Sequence, residues 1–549
     1  MRPSRTVAGW PADLATIGRD VGSLLAMEGA LMGVSLGVAL VAREWYPAAA
    51  FLLAAVLTAA VGLGARRAFA EAPDPRMKHG MVIAAAGWFG TALFGALPFL
   101  LAAHLTPPAV AASYVPSGAE YTSSLLYFRD PLHALFESMS GWTGSGLTMA
   151  VHEPSLPRAL QWWRSLIQWV GGVGVIVLTV SILARPGSGS YALYRSEARE
   201  EKIHPSVVST VRTVWTIFLG YTLLAVVVLF VAISLTPYGA SLPTWEVAWQ
   251  ALNHAMTGLS TGGFSVTDDS IATYGSPLIE SVLLPVMTLG AIAFPIHYAV
   301  LRDRDLGPLL SDLQSRWLFA LLGVGVVVLS LQNLLALPST PGAFTGPNWL
   351  GLGALVGDPI SDALRDSLFQ FVSALTCTGF QSAPIGRWSA GGKLVIAGAM
   401  TLGGAAGSTV GGIKIIRGYT ISRGIQWQFR RVFLPSSAVV SIDIGDRHLN
   451  RGEMEREFSE AAIVSLLWIL LLVASSLVLV NVAGPEFTLA DALFEVASAQ
   501  GNVGLSAGIT GPTMSPLAES MFILNMWIGR LEIIPVLVFL RSALYGLEP

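Results

Sequence analysis

Apolar runs of about 20 residues, the length that crosses a hydrocarbon layer about 30 Å thick, recur along the whole chain. They lie at about 22 to 42, 48 to 65, 81 to 103, 160 to 184, 211 to 235, 276 to 300, 317 to 337, 393 to 417, 459 to 482 and 517 to 541, and they predict ten membrane-spanning helices. Between certain spans lie apolar segments of about a dozen residues, too short to cross, each closing in a cluster of Gly, Ser and Thr. These are ALFESMSGWTGSGLT (134 to 148), QALNHAMTGLSTGGFS (250 to 265), SLFQFVSALTCTGFQS (367 to 382) and ALFEVASAQGNVGLS (492 to 506).

Aligned on Gly146, Gly262, Gly379 and Gly504, a large apolar residue stands ten positions earlier each time: Phe136, Leu252, Phe369 and Phe494. Successive glycines are 116, 117 and 125 residues apart, and SPLIES (276 to 281) echoes SPLAES (515 to 520) after the second and fourth segments. A period of this kind marks an internally duplicated chain. It divides into an N-terminal helix pair (1–70) and repeats at 71–205, 206–310, 311–450 and 451–549. Each repeat holds two spans, so all four point the same way through the membrane, unlike the inverted repeats of many secondary transporters. Parallel units of this kind surround one axis. The predicted fold is an all-α integral membrane protein of four helix, pore loop and helix repeats around a central pore, with two extra N-terminal helices.

Composition agrees, because 53% hydrophobic and 12% charged residues leave too little polar surface for the three or four soluble domains that this length would otherwise suggest. The net charge of −3 decides little. Its placement decides more. Arg66, Arg67, Arg76 and Lys78, then Arg195, Arg199 and Lys202, then Arg302 and Arg304, then Arg423, Arg430, Arg431, Arg447, Arg451 and Arg456 occupy one set of loops, whereas 104 to 128 and 237 to 275 contain no Lys or Arg. The positive-inside rule places both termini in the cytoplasm of an inner-membrane, multi-pass protein. The polar start, with Asp13, Arg19 and Asp20 and no convincing cleavage site after the first run, does not read as a signal peptide. One cysteine, Cys377, excludes an internal disulfide framework, eight histidines show no metal spacing, and nothing points to nucleic acid.

The chemistry of the repeated segments suits a cation. A short helix that enters from outside aims its partially negative C-terminus at the axis. A following Gly-containing strand can turn its carbonyls inward to replace a hydration shell, and non-helical backbone is tolerated at that depth where it lines water. The residues concerned are Thr143, Gly144, Ser145 and Gly146; Ser260, Thr261, Gly262 and Gly263; Cys377, Thr378, Gly379 and Phe380; and Asn502, Val503, Gly504 and Leu505. Cys377 is read as turning its thiol away, since carbonyls suit a hard monovalent cation better than a thiol does.

These four segments, with GGAAGSTVGGIK (403 to 414), RSLIQWVGGVGVIVL (164 to 178) and WIGRLEI (527 to 533), resemble the Trk/Ktr/HKT potassium transporters over nearly the whole chain, and most closely the TrkH branch. The resemblance implies a pseudo-fourfold pore within one subunit, a homodimer, and gating by a cytosolic ring of nucleotide-binding, TrkA-like regulatory proteins. In that family a glycine at the central filter position of every repeat goes with potassium and a serine in the first goes with sodium, and here Gly146 stands first. WTGSGLT and GNVGLS depart from the Thr/Ser-Gly-Gly pattern of the second segment, which bears on how strictly sodium is rejected.

Two readings fit the run Gly403, Gly404, Gly407, Ser408, Thr409, Gly411 and Gly412. One is close helix packing on a ladder of small residues, Gly403, Gly407 and Gly411. The other, implied by the resemblance, is an intramembrane loop that obstructs the pore when closed. Lys414 either belongs to that gate or snorkels to the interface. Arg530, with about nine residues of span on either side, either projects into the pore below the filter as a positive barrier that contacts the loop, or pairs with a distant acid or with Glu532 of another subunit. Asp268 and Asp269 either concentrate cations at the mouth or are solvated loop acids. The segment from 418 to 456 is basic, and within it AVVSIDIGD (438 to 446) partly alternates like a short strand; the segment either docks a regulator or only carries positive-inside charge.

The leading expectation is gated, channel-like potassium uptake. Its rivals are a sodium- or proton-coupled symporter and a poorly selective potassium/sodium conductance. An integral membrane enzyme would need convergent His, Asp, Glu or Cys groups, of which the spans hold almost none. A helix of repeated arginines, as a voltage sensor requires, is also absent.

Overall fold

The computed structural model describes residues 6–7, 10–183, 207–344, 359–434, 442–445 and 447–547. Arg195, Arg199 and Lys202, and residues 438–441 and 446 of the alternating segment, lie outside them. Within the rest of that segment Ile442–Ile444 pairs antiparallel with Arg447–Leu449 beside it, one of two small antiparallel strand pairs among the described residues, whose regular structure is otherwise helical.

Six helices among the described residues are long and apolar enough to cross a membrane: Ala12–Val41, Trp45–Ala68, Lys78–Leu105, Val208–Ser234, Leu313–Ser339 and Arg451–Val482. Large apolar side chains on them face outward as well as inward. On Val208–Ser234, for instance, Leu223, Leu224 and Val227 are exposed while Phe218, Ala225 and Leu229 are buried, the arrangement expected where hydrocarbon replaces water as solvent. Helix Arg158–Leu183 matches the predicted fourth span.

Three predicted spans are not continuous helices. The run at 276 to 300 breaks into Pro277–Ala291 and Phe294–Asp303, bent by 106°. Pro295, second in the new helix, has no N–H to continue the ladder, and the carbonyls of Gly290 and Ala291 accept from Thr409 and Ala405 instead. The run at 517 to 541 breaks into Pro516–Leu531 and Ile533–Tyr545, bent by 114°. Its hinge is Glu532, at φ 62° and ψ 163°, a region that only glycine occupies readily. An ion pair with Arg417 holds the Glu532 carboxylate there. The third, at 393 to 417, is helical at Ala390–Thr401 and again from Ile415, with a loop between.

Four short helices carry the repeated segments: Pro131–Thr143, Thr244–Leu259, Pro359–Leu375 and Leu489–Gly501. The first starts on Pro131 with Asp130 capping the N–H of Leu132 at 2.8 Å, and the last on a Thr488–Asp491 capping box, both ordinary helix-start chemistry. An ion pair ties the helix that follows each repeated segment to the short helix of the next repeat. Arg158 meets Glu246 at 2.6 Å, Glu280 meets Arg365 at 3.4 Å, Lys393 meets Asp491 at 2.5 Å, and Glu519 closes the circle on His133 at 2.8 Å. The sign alternates around the ring. Four sequential units thus enclose one axis.

Candidate ion pathway

The backbone of all four repeated segments leaves its short helix in the same way. The amides of Ser145, Gly262, Thr378 and Val503 each return to the carbonyl five residues earlier, at 2.8 or 2.9 Å, and Gly144, Thr261, Cys377 and Asn502 just before them are left-handed. The next glycines, Gly146, Gly263, Gly379 and Gly504, have φ of 81°, 72°, 80° and 103°. The alignment on Gly262 is therefore one residue out in the second repeat, and its partner there is Gly263. Two adjacent glycines allowed the slip, and Leu252 disguised it by standing where a large apolar residue was sought. In the corrected register Leu252 falls with Leu135, Leu368 and Leu493, and ALFE, ALNH, SLFQ and ALFE coincide.

These four glycines form a closed ring. A Cβ added at Gly146 would fall on the carbonyl oxygen of Gly262, at Gly263 on that of Thr378, at Gly379 on that of Val503, and at Gly504 on that of Ser145. Each contact runs from one repeat to the next in the order of the ion pairs. Glycine is required here twice over, by the positive φ and by the approach of backbone from the neighbouring repeat. The residues that follow, Leu147, Phe264, Phe380 and Leu505, bury their side chains. On one side the four glycines floor a cavity of about 410 Å³ whose wall includes Asp268, Asp269, Arg164 and Arg387. Asp268 contacts His152 at 3.3 Å and Tyr121 at 3.5 Å. Partial burial pushes its carboxyl above the usual aspartate range, against the pull of His152.

Nine positions before each ring glycine stands a buried polar residue that the apolar pattern concealed. Glu137 accepts from Met149 N at 2.8 Å and from Arg164 at 2.6 Å. His254 meets Ser265 Oγ at 3.1 Å. Gln370 donates to Ser382 at 3.0 Å. Glu495 accepts from Ser506 and Ala507, both at 2.7 Å. Each ties its short helix to the strand just past the ring, so the strand's position is set by polar contacts to a buried side chain rather than by loop flexibility. The corrected register alone makes the four equivalent.

On the side away from the cavity lies the interrupted run. Residues 402–414 form a compact loop, with Gly403 N bonded to Ile413 O at 2.8 Å, Ile413 N to Thr401 O at 2.9 Å, and Ile415 N to Gly404 O at 3.2 Å. The small-residue helical ladder is therefore not formed. Gly407 O accepts from Phe294 N at 3.1 Å, closing the break in the second repeat. Ser408 turns back on Ala405 O at 2.6 Å, and Gly412 has a φ of 67°. Thr409 Oγ1 lies 2.9 Å from Thr261 Oγ1, Gly411 lies against the Gly501 carbonyl, and the Cys377 thiol approaches the Gly411 backbone. Lys414 is half-buried and donates within the loop to the Val410 carbonyl.

Arg530 joins this layer. Its guanidinium donates to Thr409 O at 2.6 Å, to Gly171 O at 2.9 Å and to Gly172 O at 3.1 Å. Its backbone N–H reaches the Asn502 side chain at 3.0 Å, with the Asn502 amide nitrogen 3.1 Å from Thr143 Oγ1. The contacts described for its guanidinium are carbonyls, and Glu532 pairs within the chain with Arg417.

Residues 79–544 match the family model of TrkH, a cation transport protein. The chain is 30% identical over 493 residues to an uncharacterized cation transporter of Methanocaldococcus jannaschii, covering 90% of this chain and 88% of that one. It is 30% identical over 416 residues to the Trk system potassium uptake protein TrkH of Escherichia coli, covering 74% and 77%. In fold it resembles the crystal structure of the potassium transporter TrkH from Vibrio parahaemolyticus, with a TM-score of 0.74 over 97% of this chain and 99% of that one, at 24% identity. The family match spans all four glycine segments, the loop and Arg530, so the chain belongs to the TrkH family of cation transport proteins, membrane transporters rather than enzymes.

Proposed function

We propose that this chain is the ion-conducting subunit of a potassium uptake system in the cytoplasmic membrane, with the potassium ion as its substrate. The observation that carries the reading is the closed ring in which each of Gly146, Gly263, Gly379 and Gly504 abuts the carbonyl of the next repeat. Four backbone strands around one axis offer the oxygen ligands that replace a potassium hydration shell. The same ring supports the reading of four repeats, with the N-terminal helix pair outside them.

Control lies below the filter. The loop at 402–414 obstructs the path when closed, and Arg530 adds a positive barrier while holding the loop through Thr409. The stitching of Thr409 to Thr261 and to Arg530 supports that role. Relatives named as Trk system proteins support a homodimer governed by a cytosolic, nucleotide-binding ring. The basic loops support cytoplasmic termini.

Uptake of labelled potassium and sodium into proteoliposomes, each with and without excess of the other, tests the reading. Potassium flux that resists sodium is expected. Equal transport of both ions would sink potassium selectivity, and a reversal potential that follows a sodium or proton gradient would replace conduction by coupled symport.

A further inference from the structure

Gln168 is fully buried on helix Arg158–Leu183 of the first repeat, yet it serves the second repeat. Its Nε2 donates to Gly262 O at 2.6 Å and its Oε1 accepts from Phe264 N at 3.0 Å. One amide thus brackets Gly263, the ring glycine, from both sides. Only glycine at 262 admits the clamp, because a Cβ there would stand 2.5 Å from the Gln168 Cδ.

The clamp breaks the fourfold pattern. Gly171, Gly290 and Gly529 occupy equivalent places, each packed against the carbonyl four residues before its own ring glycine, at Trp142, Leu259 and Gln500. Three residues before these glycines stand Gln168, Met287 and Met526, all buried. A methionine thioether donates no hydrogen bond and accepts only weakly. In the third repeat the helix ends at Thr401 and the chain enters the loop. Among the described residues, Gly262 is then the one member of the carbonyl ring Ser145, Gly262, Thr378 and Val503 that accepts a side-chain hydrogen bond.

We infer that Gln168 is a positioning residue for ion selectivity, fixing the second filter strand so that the Gly262 carbonyl is held while the other three answer to the ion. The inference rests on the filter reading. A carbonyl already bonded at 2.6 Å has its dipole direction set by the protein, and a strand held at two consecutive peptide groups resists the contraction that a smaller ion demands. Removing the clamp lets the ring shrink around sodium.

The test is the sodium-to-potassium permeability ratio, read from bi-ionic reversal potentials of the full-length protein in planar bilayers. Gln168→Met installs the side chain of the equivalent positions at similar volume. Gln168→Leu removes both the donor to Gly262 O and the acceptor for Phe264 N without adding a charge. Both are expected to raise the ratio by on the order of three- to tenfold, the effect of one or two buried neutral hydrogen bonds. An unchanged ratio in Gln168→Met, with normal elution on gel filtration, would overturn the inference, as would a rise in Gln168→Met without one in Gln168→Leu. Should Gln168→Met fail to fold, Gln168→Leu alone decides. Gly263→Ala separates the two levels: a ratio altered there but not at Gln168 removes only the clamp, whereas a ratio unaltered in Gly263→Ala removes the filter reading itself.

Discussion

Thr261 and Thr409 face each other with their hydroxyls 2.9 Å apart, which joins the left-handed residue before one ring glycine to the middle of the loop at 402–414. Thr409 Oγ1 also lies 3.0 Å from Gly290 O. Each neutral hydrogen bond contributes about 1 kcal/mol. If opening breaks both, Thr409→Val, which keeps the shape and loses the hydroxyl, shifts the gate toward open by on the order of thirtyfold. Single-channel recording should find a raised open probability with an unchanged permeability ratio. An unchanged open probability would remove these bonds from gating, and a fall would mean that they hold the open state instead.

Arg530 combines a positive charge with three carbonyl contacts, and the two contributions separate by substitution. A unit charge about 8 Å from a passing ion, at an effective dielectric near 20, raises its barrier by ~2 kcal/mol, so Arg530→Ala should increase unitary conductance by on the order of thirtyfold. Arg530→Lys keeps the charge but not the planar fork. It should leave conductance near the wild-type level while raising open probability, because a lysine cannot span Thr409, Gly171 and Gly172 together. Unchanged conductance and open probability in Arg530→Ala would exclude the barrier.

Membrane spans and the fourfold repeat were legible in the sequence because each leaves a local signal, apolar length or a glycine cluster, whereas the glycines of 403–412 suit a packed helix as well as a loop, and only the family resemblance favoured the loop. The register error shows where such signals stop. Gly262 and Gly263 are both glycine, and only the returned amide bonds and the positive φ distinguish them. Contacts between repeats were invisible for a different reason. Gln168 and Gly262 are 94 residues apart, and His133 and Glu519 are 386 apart, so no periodicity within a segment connects them. The breaks at Ile292 and Glu532 also escaped, since an apolar run long enough to cross looks the same whether it is straight or bent.

The cavity above the ring makes a pH prediction at Asp268, whose carboxyl titrates above the ordinary aspartate value of 3.8 because burial opposes its charge. Tyr121 beside it, pushed up to about 12, stays neutral throughout this range. As external pH falls through the raised value, Asp268 takes up a proton and the mouth loses a negative charge. Inward current at low ionic strength should therefore decline at a pH above that of a free aspartate, and the decline should shrink in high salt, which screens the mouth. Asp268→Asn should lower the neutral-pH current and abolish that step. The sign for stability runs the other way: the folded state holds the proton more tightly than the unfolded one, so this carboxylate opposes folding at neutral pH and ceases to as pH falls through its folded value. Asp268→Asn should then be no less stable than the parent at pH 7 in thermal melts.

Lys393 and Asp491 make the most enclosed of the four ion pairs between repeats, at 2.5 Å with both side chains over nine-tenths buried. Lys393 also donates to Gly386 O at 2.8 Å, while Asp491 accepts from Thr488 to cap the fourth short helix. Removing one partner of such a pair costs about 3 to 5 kcal/mol, because the remaining charge loses its compensation in a region closed to water. Lys393→Met should sit at the low end of that range, since the capping contacts still support the Asp491 carboxylate. Asp491→Leu should be worse, because it strips the cap from the helix N-terminus and strands the ammonium together. The double variant Lys393→Met/Asp491→Asn removes both charges while keeping a side chain able to cap, so it should regain most of the loss. Thermal unfolding in lipid nanodiscs measures the three. A double variant no more stable than Lys393→Met would mean that the two residues do not act as a pair, and the alternating ring of ion pairs would then contribute little to holding the repeats together.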